Sequence, residues 1–142
     1  MTLKVLIADD KEIVLESVRM LLEGINGVRV VGEANDGLEA VHLARSLRPD
    51  VIIMDITMPN LNGTDAARKI ISEMPNTKII ALSVHTDWAH ISIMLNAGAT
   101  AYLFKDYLFD KDSMLEELKC ALKAVSKDRI YISREAKNAV YA

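Results

Sequence analysis

Short apolar runs alternate with longer stretches of helical spacing along most of this chain, and that alternation limits the folds open to it more than any other feature. Leu3–Ala8, Val28–Gly32, Val51–Met54, Ile79–Leu82 and Ala101–Phe104 read as strands. The first, third and fourth are almost continuously apolar, as in strands covered on both faces. Between them the apolar residues recur at helical intervals. Ile13, Val14, Val18, Leu21 and Leu22 form one stripe, Ala40, Val41, Ala44 and Leu47 a second, and Ala66, Ala67, Ile70, Ile71 and Met74 a third. Ile91, Met94 and Leu95 form a fourth, and Met114, Leu115, Leu118, Ala121, Leu122 and Val125 a fifth. Gly24, Gly27, Pro49, Pro75 and Gly98 stand near the expected helix ends, and Asn62-Gly63 marks a turn ahead of the third helix.

Repeated strand–helix units predict an α/β fold, a doubly wound five-stranded parallel sheet with helices on both faces. Strand order is not readable from sequence, and the flavodoxin-like order 2-1-3-4-5 is the expectation among the common ones. At 142 residues the chain can bury a core without disulfides or structural metal. Residues 1–126 carry the alternating pattern as one domain. The polar remainder, 127–142, reads as a C-terminal extension or the start of a linker to an output domain outside this chain. It is expected to add no sixth strand, and Ser133 is placed to cap a short last helix.

A formal net charge of −3 argues against nucleic-acid binding by this segment itself. No secretory signal pattern is visible, and the apolar runs fall short of the roughly 18 residues that a membrane span needs. The lone Cys120 excludes an internal disulfide and fits a cytoplasmic setting.

In a doubly wound sheet, ligands bind beyond the carboxyl ends of the strands. The first strand runs into Asp9-Asp10, the third into Asp55, the fourth into Ser83 and the fifth into Lys105. Two like charges about 4 Å apart repel by roughly 4 kcal/mol at an effective dielectric near 20. Neighbouring carboxylates therefore need a cation, or one must hold a proton. A hard divalent ion, Mg2+ or Mn2+, suits an all-oxygen ligand set. Metal, lysine and hydroxyl around a carboxylate make a cradle for phosphoryl oxygens, and an aspartate inside it can be a nucleophile. Asp55 stands singly after the central strand and is assigned that role. Asp10 is assigned to the metal, with Asp9 assisting and the Thr57 backbone carbonyl completing the protein ligands.

At these residues the sequence resembles the receiver domains of response regulators in two-component signalling. The motifs IADDKEIV, VIIMDITMPNLNG, ALSVHTD and AGATAYLFKD carry the resemblance, in order, over roughly residues 3–125. AGATAYLFKD, the long helix after it and RIYIS resemble the NarL/FixJ (LuxR-type) subfamily in particular. The resemblance implies that Asp55 accepts a phosphoryl group from a phosphohistidine on a sensor histidine kinase. It implies Mg2+ held by Asp9, Asp10, Asp55 and the Thr57 carbonyl. It implies that Lys105 pairs with the phosphoryl group, Ser83 moves to hydrogen-bond it, and Tyr102 changes rotamer in step. The face of the fourth helix, fifth strand and fifth helix would then change its partners, a homodimer among them, with DNA reached only through an absent helix-turn-helix domain. Thr57 and His85 would tune phosphoryl lifetime. The expected activity is a phosphoacceptor switch with self-catalysed phosphorylation and dephosphorylation, not multiple turnover. Many receivers carry proline after the lysine, whereas Asp106 follows Lys105 here, which leaves that turn open.

Taken singly, the site residues have plainer readings: a solvated turn for Asp9-Asp10, a cap or loop carboxylate for Asp55, a surface lysine for Lys105. Their joint placement at one edge is what favours a site. His42, His85 and His90 share no metal-ligand spacing, which makes a zinc site an unattractive reading. Trp88 reads as a packing residue, the methionines as core filler, and Ile93 and Tyr102 as residues that leave apolar surface on the output face. Three other functions compete. A haloacid-dehalogenase-like phosphatase would want an Asp-x-Asp motif on its first strand. A flavodoxin-type nucleotide module would want glycines or hydroxyls where DDKE stands. A degenerate receiver acting as a scaffold would have lost site residues.

Overall fold

The computed structural model describes residues 2–134. The elements run β1 (Leu3–Ala8), α1 (Glu12–Glu23), β2 (Val28–Ala34), α2 (Gly37–Leu47), β3 (Val51–Met54), α3 (Gly63–Glu73), β4 (Lys78–Ser83), α4 (Trp88–Asn96), β5 (Ala101–Phe104), α5 (Lys111–Ser126) and β6 (Tyr131–Ile132). A 3-10 turn over Lys105–Phe109 joins β5 to α5. All strands are parallel, in the order β2-β1-β3-β4-β5-β6.

Successive strand residues point to opposite faces, and this splits the core in two. Leu6, Ala8, Ile52, Met54, Ile79, Ala81, Tyr102 and Phe104 face one layer with apolar residues of α2, α3 and α4. Val5, Ile7, Val51, Ile53, Ile80, Leu82, Ala101 and Leu103 face the other, against α1 and α5. The near-continuous apolar runs are thus explained by helices on both sides. Among the described residues, four of the five α-helices open on a side-chain cap: Asp36 accepts from Glu39 N–H, Asn62 from Asp65 N–H, Asp87 from His90 N–H and Asp110 from Ser113 N–H. Each cap satisfies a backbone donor that the helix leaves unpaired.

Three expectations need correction. The tail does add a sixth strand: Tyr131 and Ile132 pair in parallel with Ala101 and Tyr102. The pairing is only two residues long, too short for periodicity to announce it. It covers the open edge of β5, an edge that would otherwise leave backbone donors and acceptors free. Ser133 immediately precedes the helical Arg134, where a cap is expected. It is buried, and its Oγ accepts a hydrogen bond from Phe104 N–H at 3.2 Å; the body of the helix it was expected to cap lies outside the described residues. On the output face, Ile93 is exposed as expected, but Tyr102 is fully buried. Trp88 opens α4 yet stays about half exposed instead of packing. Among the described residues, no helix is long and apolar enough to cross a membrane.

Candidate functional site

Strand register builds the site. β1 and β3 pair side by side with Ala8 opposite Met54, so the residues that follow, Asp9 and Asp55, emerge together at the carboxyl edge. Asp55 N–H donates to Ala8 O at 2.9 Å, and Asp9 N–H to Ala34 O at 3.0 Å, which fixes both backbones. β4 and β5 pair with Ser83 opposite Phe104, and Lys105 follows directly. The edge between β1 and β3 is where the strand order reverses, the place at which doubly wound sheets bind their ligands.

The side chains converge. Lys105 Nζ lies 2.6 Å from Asp9 Oδ2 and 3.2 Å from Asp55 Oδ2. Asp9 is 1% exposed, Asp55 5% and Lys105 7%. Asp10 stands at the rim, exposed, with Lys11 Nζ 3.4 Å from its Oδ1. One carboxylate oxygen from each of Asp9, Asp10 and Asp55 lies within 4.8 Å of the others. Burial and the charge of Asp9 push the Asp55 carboxyl above the usual carboxylate range, opposed by the Lys105 ammonium and by a hydrogen bond from Thr57 N–H. The buried Oδ2 atoms of Asp9 and Asp55 receive no aligned hydrogen bond, though the Lys105 ammonium lies within 3.2 Å of both. Three carboxylates with two buried oxygens left unbonded are a donor set that fits a hard, oxygen-seeking divalent cation.

Ser83 and Tyr102 sit beside this cluster in a small ring of hydrogen bonds. Ser83 Oγ accepts from His85 N–H at 3.0 Å, and Tyr102 Oη donates to His85 O at 2.7 Å. Ser83 stands beside the Tyr102 phenol, whose pKa burial pushes up to about 12. Ser83 is therefore engaged by the His85 backbone, and Tyr102 is buried. The open turn after Lys105 is settled as well: with Asp106 in place of proline, the chain enters the 3-10 turn at once.

The structure adds residues that the sequence did not single out for the site. Gly63 N–H donates to Ile56 O at 2.7 Å, and a Cβ on Gly63 would stand 1.9 Å from Asp55 O. A Cβ on Gly37 would stand 1.8 Å from Leu61 O. Asn60 Nδ2 donates to Asp36 Oδ2 at 2.7 Å. The loop from Ile56 to Asn62 is thus pressed against Asp55 from one side and against the start of α2 from the other. The Asn-Gly pair looked like turn chemistry, and nothing local distinguishes a turn glycine from one on which a backbone must rest.

Comparison with known proteins agrees with this geometry. The family model of the response regulator receiver domain matches residues 5–119. Transcriptional regulatory protein DegU of Brevibacillus brevis is 36% identical over 130 residues, which are 92% of this chain and 52% of DegU. Response regulator UvrY of Escherichia coli is 37% identical over 133 residues, 94% of this chain and 58% of UvrY. This chain spans about half the length of the curated relatives it matches. A LuxR-family two-component response regulator from Aurantimonas sp. superposes with a TM-score of 0.90 at 31% identity, covering 99% of this chain and 96% of that one. The isolated receiver domain of RcsB from Salmonella enterica, in the presence of phosphomimetic BeF3−, superposes with a TM-score of 0.85 at 27% identity, covering 98% and 99%. Fold, strand-end residues and relatives converge on one assignment: the chain belongs to the receiver domains of two-component response regulators, of the NarL/FixJ (LuxR) type.

Proposed function

We propose that this domain accepts a phosphoryl group on Asp55 and uses the change of charge to switch an output, transcription, through a DNA-binding domain outside this chain. The observation that carries the proposal is the convergence of Asp9, Asp10 and Asp55 with Lys105 bridging two of them. In the step proposed, an Asp55 carboxylate oxygen attacks the phosphorus of a phosphohistidine on a sensor histidine kinase. The P–N bond breaks, the imidazole leaves and takes up a proton, and an acyl phosphate forms on Asp55. Asp9, Asp10, Asp55 and the Thr57 carbonyl would hold Mg2+ (or Mn2+), which when bound supplies positive charge for the phosphoryl oxygens. Lys105 sits where its ammonium can leave the carboxylates and pair with the incoming group.

Ser83 would exchange its bond with the His85 N–H for one to a phosphoryl oxygen. That exchange would loosen the ring through His85 and let Tyr102 change rotamer, altering the face of α4, β5 and α5 and its use in a homodimer. Thr57 and His85, two residues past Asp55 and Ser83, stand where they would set the rate of hydrolysis. The mouth of the site is edged by exposed Ile13, Val84 and Phe109, which with Lys11, Lys105 and Asp106 line a hollow of about 290 Å³. An apolar rim beside a buried nucleophile suits a protein donor that must seal the site during transfer. These reactions would take place in the cytoplasm.

The test is incubation with acetyl phosphate and Mg2+, followed by intact mass. Wild type should gain one phosphoryl group, labile to hydroxylamine, and Asp55→Asn should gain none. Equal labelling of Asp55→Asn would overturn the choice of nucleophile.

A further inference from the structure

A second cluster of ligating side chains lies on the connection from β4 into α4, apart from the carboxylate site. His85, Asp87 and His90 each offer an atom within 4.8 Å of the others. The imidazole rings of His85 and His90 are stacked, centroids 3.8 Å apart and 4° from parallel. His90 Nδ1 lies 2.8 Å from both oxygens of Asp87. The two histidines are half-buried and Asp87 is exposed. In sequence these histidines share no recognised metal-ligand spacing. That objection lapses here: His85 precedes the Asp87 cap and is not on the helix.

We propose that His85, Asp87 and His90 form a binding site for a borderline transition-metal ion, Zn2+ first among them, with water completing its coordination. Two imidazoles and a carboxylate are the ligand set that such ions prefer and that Mg2+ does not. The backbone is already fixed on both sides. Asp87 caps α4 through His90 N–H, and the His85 N–H and C=O are held by Ser83 and Tyr102. Only side-chain rotation is needed for closure. At metal–ligand distances of about 2.1 Å, tetrahedral ligand atoms stand roughly 3.4 Å apart, so the rings must turn out of parallel and draw in from their present spread. A bound ion would fasten the loop after Ser83 to α4.

Trp88, the only tryptophan in the chain, sits between Asp87 and His90 and reports on the site. The experiment is a fluorescence titration of the intact protein with Zn2+ in millimolar Mg2+, which keeps the carboxylate cluster supplied with its own class of ion. A saturable change with one Zn2+ per chain is expected. Affinity should fall roughly tenfold or more in His85→Gln and in His90→Gln, with His42→Gln as the unaffected control. Because both target histidines are partly exposed, circular dichroism should show all three variants folded. The proposal is overturned if the His85→Gln/His90→Gln double variant titrates like wild type. It is equally overturned if Asp10→Asn, and not the histidine changes, abolishes the response, for the ion would then belong to the carboxylates.

Discussion

Two polar clusters share the carboxyl edge of the sheet and are built on opposite plans. Asp9, Asp10, Asp55 and Lys105 come from three strand ends that meet only because β1, β3, β4 and β5 pair in register. They are mostly buried, and backbone holds them from behind. His85, Asp87 and His90 come from one short stretch of chain, lie nearer solvent, and are held to one another by side chains. The first cluster carries an electrostatic conflict that the fold must sustain. The second carries almost none. A nucleophile has to be kept ionised in a dry site, and that requires a scaffold stiff enough to hold like charges together; a peripheral ligand set requires only proximity.

The sharpest way to break this contrast is at Gly63. An alanine there would drive Cβ into Asp55 O, where only 1.9 Å is open, and backbone cannot yield as a side-chain tip can. Gly63→Ala is expected to cost about 3 kcal/mol of stability, the scale of an overpacked core position, with labelling of Asp55 impaired. At Gly24 an added Cβ meets nothing nearer than 3.4 Å, and the same substitution should fall within about 0.5 kcal/mol beyond any helix-end preference. Urea unfolding of the two variants decides it. A Gly63→Ala protein as stable as wild type would mean that the loop is not braced by backbone at all.

Mg2+ should act next most strongly, and on one cluster only. At a free concentration ten times its Kd, an ion that binds only the folded state adds about 1.4 kcal/mol. Thermal melts should show that gain in wild type and a reduced one in Asp55→Asn and Asp10→Asn. If Mg2+ stabilises all three equally, the carboxylates are not its ligands.

Removing the conflict itself should help the fold. The Asp55 carboxyl is raised by burial and by Asp9, so the folded state holds that proton more tightly than the unfolded chain does. Ionising Asp55 therefore costs stability as pH rises from the ordinary carboxylate range through the raised folded value. Asp55→Asn should be more stable than wild type at pH 7 by about 1 kcal/mol, the usual scale for relieving an active-site compromise. The advantage should vanish in acid, below the unfolded value of about 3.9. A difference that grows toward low pH would reverse the sign and refute the electrostatic account.

What the sequence disclosed follows the same division. The strand-end residues were legible because sheet topology sends every strand's last residue to one edge, so Asp9, Asp10, Asp55, Ser83 and Lys105 could be grouped without knowing a distance. Gly63 and Gly37 were not, since their role is the backbone of a segment they press upon, and a sequence holds no record of what lies opposite. β6 was missed because two residues cannot establish a period. The inward turn of Tyr102 was missed because a tyrosine in a strand fits either face until its hydroxyl finds a partner, here His85 O. The stacking of His85 and His90 depends on how the loop ahead of α4 folds back over the helix, which no periodicity records.

One hydroxyl spans both regions, and its removal gives the smallest effect but the most discriminating one. Tyr102 Oη donates to the His85 carbonyl, so Tyr102→Phe cuts the link between the switch ring and the histidine loop while leaving the ring of the side chain in the core. Loss of one such hydrogen bond costs about 1 kcal/mol. The Asp9–Lys105–Asp55 contacts do not pass through Tyr102, so labelling of Asp55 should persist, slowed by no more than about fivefold if the whole of that energy were felt in the transfer step. Zn2+ titration should weaken by a similar factor, because the His85 carbonyl is released while its N–H stays on Ser83. If labelling of Tyr102→Phe is abolished instead, the nucleophile and the loop are one cooperative unit, and the division between a stiff buried cluster and a loosely held peripheral one is wrong.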